Sequence, residues 1–168
     1  MTLSIMPARK CVMQYLSRRT IAFTLLLVVC ALPCRAVEMS PQAIDTAWVK
    51  AMKAGDLKAV MKCYAPGAVA WLPGAPAARG EKAIRSVYAG LLAANTVQDV
   101  VLSETVYKTM RNVAVGWGKF SLTLVPKAGG NPVVMTGRFT AVAERRAGKW
   151  VYIVDHASAE PTGTESAR

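Results

Sequence analysis

The sequence predicts an α+β domain in which a cone-shaped, curved antiparallel or mixed sheet packs on three N-terminal helices. Three observations carry that expectation. Between Pro41 and Ala93 the apolar residues recur at helical spacing; from Thr96 onward the segments are rich in Val, Thr, Tyr and Phe; and these later segments are joined by short hairpin turns.

The domain is expected to begin after a leader. Arg9, Lys10, Arg18 and Arg19 precede the apolar run Ile21 to Leu32, which is shorter than the ~20 residues a spanning helix needs. A basic stretch, an apolar stretch and a small residue at the cut form the signal-peptide pattern, with cleavage expected after Ala36. Residues 1–36 are thus read as a signal peptide, 37–160 as the domain and 161–168 as a frayed tail. The mature protein is expected to be periplasmic or secreted, with no stable membrane insertion. Arg18-Arg19 leaves the twin-arginine route open beside the general secretory one. Val29 before Cys30 and Pro33 before Cys34 argue against a lipid anchor.

Ser40-Pro41 opens the first helix, with Ser as N-cap and Pro at the first helical position. Its inward face is Ile44, Ala47, Trp48, Ala51 and Met52, and Gly55 stops it. Asp56 caps a second helix with the stripe Leu57, Val60, Met61 and Tyr64, ended by Pro66-Gly67. Ala68 to Leu72 reads as a short strand, and Pro73 to Gly80 as a stiff loop. A third helix runs from about Glu81 to Ala93, with Ile84, Val87, Tyr88 and Leu91 inward.

Four strands follow, at about 97–108, 112–125, 133–145 and 149–157. Short turns between consecutive strands make an antiparallel meander. Strands long enough to cover three helices must twist and curl, and Gly116, Gly118 and Gly137 are where bending is easiest. A curled sheet with helices across its mouth leaves a conical interior, a ready pocket.

Charge and cysteine content narrow the function. The net charge of +11 includes five basic residues before Val37 (Arg9, Lys10, Arg18, Arg19, Arg35) and no acidic ones, so the mature chain carries +6. Its Lys and Arg are scattered, not gathered into a basic patch, which argues against nucleic acid as a partner. Cys11, Cys30 and Cys34 leave with the leader. Cys63 is then alone and expected to be an inert, half-buried thiol, with an intermolecular bridge as the alternative. One His and one Cys cannot supply the usual zinc ligands, so no metal is expected. No cofactor is expected either: Gly116-Trp117-Gly118-Lys119 lies inside a strand with no helix after it and is not a phosphate loop.

Several short motifs occur in a telling order. Trp48 to Asp56 reads Trp-Val-Lys-Ala-Met-Lys-Ala-Gly-Asp; Tyr64 to Val69 reads Tyr-Ala-Pro-Gly-Ala-Val; Gly80-Glu81-Lys82-Ala83-Ile84 precedes Tyr88. Gly118 to Thr123, Gly137-Arg138-Phe139-Thr140 and Gly148-Lys149-Trp150 punctuate the sheet, and Trp150 to Ser158 closes it. From about Pro41 to Ser158 the chain resembles the nuclear transport factor two-like superfamily, and its end resembles the SnoaL-like branch. That resemblance implies the cone fold. It implies no single activity, because the superfold hosts isomerases, cyclases, dehydratases and association modules. It also implies a homodimer formed through the outer face of the sheet.

Laid on the ketosteroid-isomerase pattern of that superfamily, the tyrosine position falls on Trp48, the carboxylate base on Leu72 ahead of Pro73, and the oxyanion aspartate near Gly137. None of these can play the part, so that reaction is disfavoured. His156, the only histidine, is the remaining acid–base candidate, since imidazole titrates near neutrality. The resemblance matches it to the second His of the closing motif, with Val154 in the place of the first. Strict alternation puts Trp150, Tyr152, Val154, His156 and Ser158 on one face and Asp155 on the other. If the first face lines the cone, the pocket comprises Trp48, Trp71, Tyr88, Trp117, Phe139, Tyr152 and Ser158, with His156 among them. Arg138 or Lys119 is placed to meet an acidic group on a ligand.

The leading expectation is an exported SnoaL-like domain that binds a small apolar or aromatic molecule. An isomerase- or cyclase-like enzyme with its chemistry centred on His156 is the first alternative. A homodimeric association module with a vestigial pocket is the second.

Overall fold

A computed structural model describes residues 40–160. The expected leader, three of the four cysteines and the tail after Glu160 lie outside the described residues. Within them the chain runs α1 (Gln42–Lys53), α2 (Leu57–Met61), β1 (Tyr64–Trp71), β2 (Ala78–Arg79), α3 (Gly80–Ala94), β3 (Asn95–Met110), β4 (Val113–Pro126), β5 (Val133–Arg146) and β6 (Lys149–Ala159). The six strands form one sheet in the order β2-β1-β6-β5-β4-β3. The meander β3 to β6 is antiparallel throughout, and β1 joins it by a parallel pairing with β6.

Local chemistry sets most of the boundaries. Ser40 Oγ accepts the Gln42 amide at 3.3 Å, although Pro41 is the residue flanking the helix, one position from expectation. Gly55 turns left-handed at φ 64°, and Asp56 Oδ1 then accepts the Ala59 amide at 2.9 Å to cap α2. The α2 stripe was expected to extend to Tyr64; the helix instead ends at Met61, and Tyr64 opens β1. Pro66 explains the change, because it has no N–H to donate and holds the residue before it extended. The register between β1 and β6 shifts between Tyr64 and Val69, so that Pro66 sits in a stretch without ladder pairing.

α1 packs against β3 and α3 against β1, leaving the core between the helices and the concave face of the sheet. Ile44, Met52, Val60, Ile84 and Tyr88 are its most deeply buried helical and connecting side chains. On the concave face, strand glycines make room for aromatic rings. A Cβ at Gly116 would overlap the Tyr107 ring, and one at Gly137 would overlap the Ser158 carbonyl oxygen and the Phe120 ring.

The last strand contains the feature that most affects the site. Val154 pairs with Val142 and Tyr152 with Ala143, so Ile153 is an extra residue with no partner on β5. A bulge of one residue reverses the facing of every residue after it. The alternation expected from the sequence therefore fails beyond Tyr152. Asp155 and Ala157, paired with Ala141 and Phe139, point inward, and Val154, His156 and Ser158 point outward.

Candidate active site

Between the helices and the sheet lies a cavity of about 330 Å³. Its wall is almost wholly apolar: Trp48 and Met52 from α1, Val87 and Leu91 from α3, Phe120 and Phe139 from the sheet, with Leu72 and Pro73 from the connection after β1. Asp155 is the one charged residue lining it, and Tyr88, Tyr152 and Asn95 add further polar groups. Ala70 on β1 and Ala141 on β5 flank Asp155, so small neighbours leave its carboxyl open to the cavity.

A chain of hydrogen bonds ends on that carboxyl. Tyr64 Oη donates to Asp155 Oδ2 at 2.5 Å and stands 2.6 Å from Tyr88 Oη. Trp48 Nε1 donates to Tyr88 Oη at 3.3 Å. Since a phenol has one proton and Tyr64 gives its own to Asp155, Tyr88 must donate to Tyr64. Burial pushes the Tyr64 and Tyr88 hydroxyls well up, which keeps both protonated as donors. Burial likewise pushes Asp155 up to about 6, against the Tyr64 hydrogen bond, which lowers it; the Asp45 charge adds to the rise, and His156 opposes it.

A second carboxylate centre adjoins the first. Asp45 on α1 is buried at 7% exposure, and its Oδ1 accepts from Tyr107 Oη at 2.7 Å and from Tyr152 Oη. Its Oδ2 has no hydrogen-bond partner among the described residues. Burial raises its pKa, and the hydrogen bonds from Tyr152 and Tyr107 pull the other way. Every tyrosine among the described residues thus serves Asp45 or Asp155, directly or through a second tyrosine. The Tyr64 and Tyr152 rings, 5.4 Å apart, join the two centres.

The structure brings some of the expected site residues together and separates others. Trp48, Tyr88, Phe139 and Tyr152 line the cavity. His156 and Ser158 lie on the outer face because of the bulge at Ile153, and both are exposed. Trp71 and Trp117 are also outside, at 40% and 38% exposure. Trp71 meets the His156 ring edge-on at 6.2 Å, and Lys108 Nζ lies 5.9 Å from the Trp117 ring centre. Lys119 and Arg138 pair with Glu104 and Glu160 at the surface and do not reach the cavity. Cys63 follows α2 rather than lying within it. It is buried, its thiol donates to the Ala59 carbonyl at 3.6 Å, and burial pushes its pKa up to about 12. Among the described residues no group of three His, Cys, Asp or Glu is placed to hold a metal.

The sequence reading missed both aspartates. Asp45 could have been found: it stands three and seven residues before Trp48 and Met52, hence on their side of the helix. Asp155 could not, because its facing depends on the bulge.

A family model described as the SnoaL-like domain matches residues 46–153. The chain belongs to that family. No curated protein matches the sequence. Among solved structures, this SnoaL-like domain is similar to a nuclear transport factor 2-like superfamily protein from Salmonella enterica serovar Typhimurium, with TM-score 0.67 and 16% identity over 80% of this chain and 99% of that one. A ketosteroid isomerase-like protein from Erwinia carotovora atroseptica aligns with TM-score 0.64 and 22% identity over 73% and 95%. A Xanthomonas campestris protein assigned as a calcium/calmodulin-dependent protein kinase II association domain aligns with TM-score 0.65 and 27% identity over 73% and 86%. The curved mixed sheet with helices on one side is the cone of the nuclear transport factor 2-like superfamily. In this SnoaL-like domain the cavity carboxyl comes from the last strand.

Proposed function

We propose that this SnoaL-like domain binds a small, largely apolar molecule inside the cavity and acts on it through Asp155. One observation carries the reading: a single charged group, the Asp155 carboxyl, stands on a predominantly apolar wall. Enclosed apolar sites with few, well-placed polar groups are the usual form of small-molecule sites. A carboxyl titrating near neutrality can both take and give a proton, which suits a proton-transfer step on the bound molecule. The acid–base role expected of His156 passes to Asp155 in this reading, because His156 lies on the other side of the sheet.

Tryptophan fluorescence tests the binding step. Trp48 lines the cavity and Trp71 and Trp117 do not, so a bound hydrophobic compound is expected to change the emission, and Trp48→Phe to abolish most of that change. No response to any member of a hydrophobic compound panel would reject the reading. Turnover, once a substrate is found, is expected to fall at least about a hundredfold in Asp155→Asn and to be unaffected by Ser158→Ala.

A second reading, self-association through the outer face, rests on a row of directly paired residues. Trp71, His156, Thr140, Trp117 and Val106 lie side by side across β1, β6, β5, β4 and β3. Trp71, Trp117 and Val106 in that row are exposed, and exposed large apolar groups gathered on one face commonly mark an interface. Export and cleavage after Ala36, inferred from the pattern of residues 1–36, are tested by fractionation and N-terminal sequencing: recovery in the cytoplasm alone rejects export, and an uncut N-terminus rejects cleavage.

A further inference from the structure

We infer that the cavity selects an apolar molecule bearing a protonated amine, in preference to a ketone or a carboxylate. The inference deepens the binding reading above and rests on it.

Hydrogen-bond direction is the first argument. The Trp48 indole hydrogen goes to Tyr88, the Tyr88 hydroxyl hydrogen to Tyr64, and the Tyr64 hydroxyl hydrogen to Asp155 Oδ2. Tyr152 gives its only hydroxyl hydrogen to Asp45 Oδ1. Every hydroxyl and indole hydrogen on the wall is therefore committed to the protein. Asn95 gives one amide hydrogen to the Leu91 carbonyl at 3.0 Å, leaving one other. A ketone oxygen would find almost no donor here. Asp155 Oδ1, by contrast, has no partner among the described residues and keeps its lone pairs for a donor brought by the ligand.

Charge is the second. No Lys, Arg or His lines the cavity, so the carboxylate has no counter-charge there. A carboxylate ligand would bring a second negative charge beside Asp155, with Asp45 close behind. An ammonium would supply the missing partner. The wall also presents the rings of Trp48, Phe120, Phe139 and Tyr152, and aromatic faces attract cations through their quadrupoles, more strongly when water is excluded. An apolar body, a ring-lined wall and one carboxylate together describe an ammonium site.

The titratable groups facing Asp155 are Tyr64 from β1, Tyr88 from α3, Tyr152 on its own strand and Asp45 from α1, with His156 as its outward neighbour. Burial keeps the three tyrosines protonated, so across the neutral range the carboxyl itself governs the charge in the cavity. Amine binding should then strengthen as pH rises through about 6.

Three tricyclic cage compounds of nearly equal size separate the possibilities: adamantan-1-amine, 2-adamantanone and adamantane-1-carboxylate. Their affinities for the full chain are measured by calorimetry at about pH 8 and about pH 5. A charge-assisted hydrogen bond corresponds to roughly ten- to a hundredfold in affinity, so the amine is expected to bind at least about tenfold more tightly than the ketone at the higher pH. That advantage should shrink at the lower pH, where the protonated carboxyl loses its charge and gains a hydrogen to donate to the ketone, and vanish in Asp155→Asn. Should that variant fail to fold, the pH comparison on the unaltered protein still decides. Equal binding of amine and ketone, or tighter binding of the carboxylate, overturns the selectivity but leaves apolar binding standing. Failure of all three cages to bind overturns both.

Discussion

Asp155 owes its chemistry to its immediate neighbours. Ala70 and Ala141 are its strand partners, Tyr64 holds one of its oxygens, and the residue lines the cavity. The energetic consequence has a definite sign. Its folded-state pKa of about 6 lies above the ordinary aspartate value of 3.8, so the folded protein holds the proton more tightly than the unfolded chain. Stability is therefore greatest at low pH and falls as pH rises from about 4 through about 6, by roughly 2–3 kcal/mol for this group. Asp45, also raised by burial, adds a loss of the same sign. Urea denaturation at about pH 5 and about pH 8 checks this: Asp155→Asn is expected to be stabilised relative to the unaltered protein at the higher pH and to show a shallower dependence. A second residue-scale test concerns Gly137. A methyl there overlaps the Ser158 carbonyl oxygen, part of the neighbouring backbone. Gly137→Ala should cost more than about 2 kcal/mol, and a loss below about half of that would show that the two strands can separate freely.

At the scale of elements, what could be read in advance depended on whether the signal was local. The α2 cap was legible because Asp56 and the amide it accepts are three residues apart. Asp56→Ala is expected to lower stability by about 1 kcal/mol, measured by the urea midpoint with an unchanged slope. The four-strand meander was legible from its turns: at Ala147 and Gly148, both with positive φ (47° and 81°), the backbone adopts the geometry that favours a tight hairpin. The bulge in β6 was not legible. Val151, Tyr152, Ile153 and Val154 form an unbroken apolar run, and any of them can face either side without a penalty visible in the sequence. Strict alternation carried across that run led to His156 and Ser158 in place of Asp155. Asp45 was overlooked for a related reason. A single acid on an amphipathic helix normally meets water, and its partners Tyr107 and Tyr152 lie 62 and 107 residues away.

For the molecule as a whole, the two faces of the sheet have different characters. The concave face holds the cavity lined by Asp155, with the Asp45 centre adjoining it, and the outer face carries the row from Trp71 to Val106. If the outer face associates, replacing both Trp71 and Trp117 by Arg should convert the assembly to a monomer in light scattering across a dilution series, with ligand-induced fluorescence change retained at Trp48. A protein that is monomeric before substitution removes the association reading and leaves the cavity reading untouched.

The parallel joint between β1 and β6 has a consequence for how this chain matures. Tyr64 meets Tyr152 in that joint, and the Tyr64–Asp155 and Asp45–Tyr152 bonds span 91 and 107 residues. Contacts that distant in sequence form slowly, since a long loop must close before they return any free energy. Any polypeptide stopped short of residue 149 lacks β6 altogether, and with it the carboxyl and one wall of the chamber. Competence to hold a guest molecule is thus acquired last, when the C-terminal strand slots between its two neighbours.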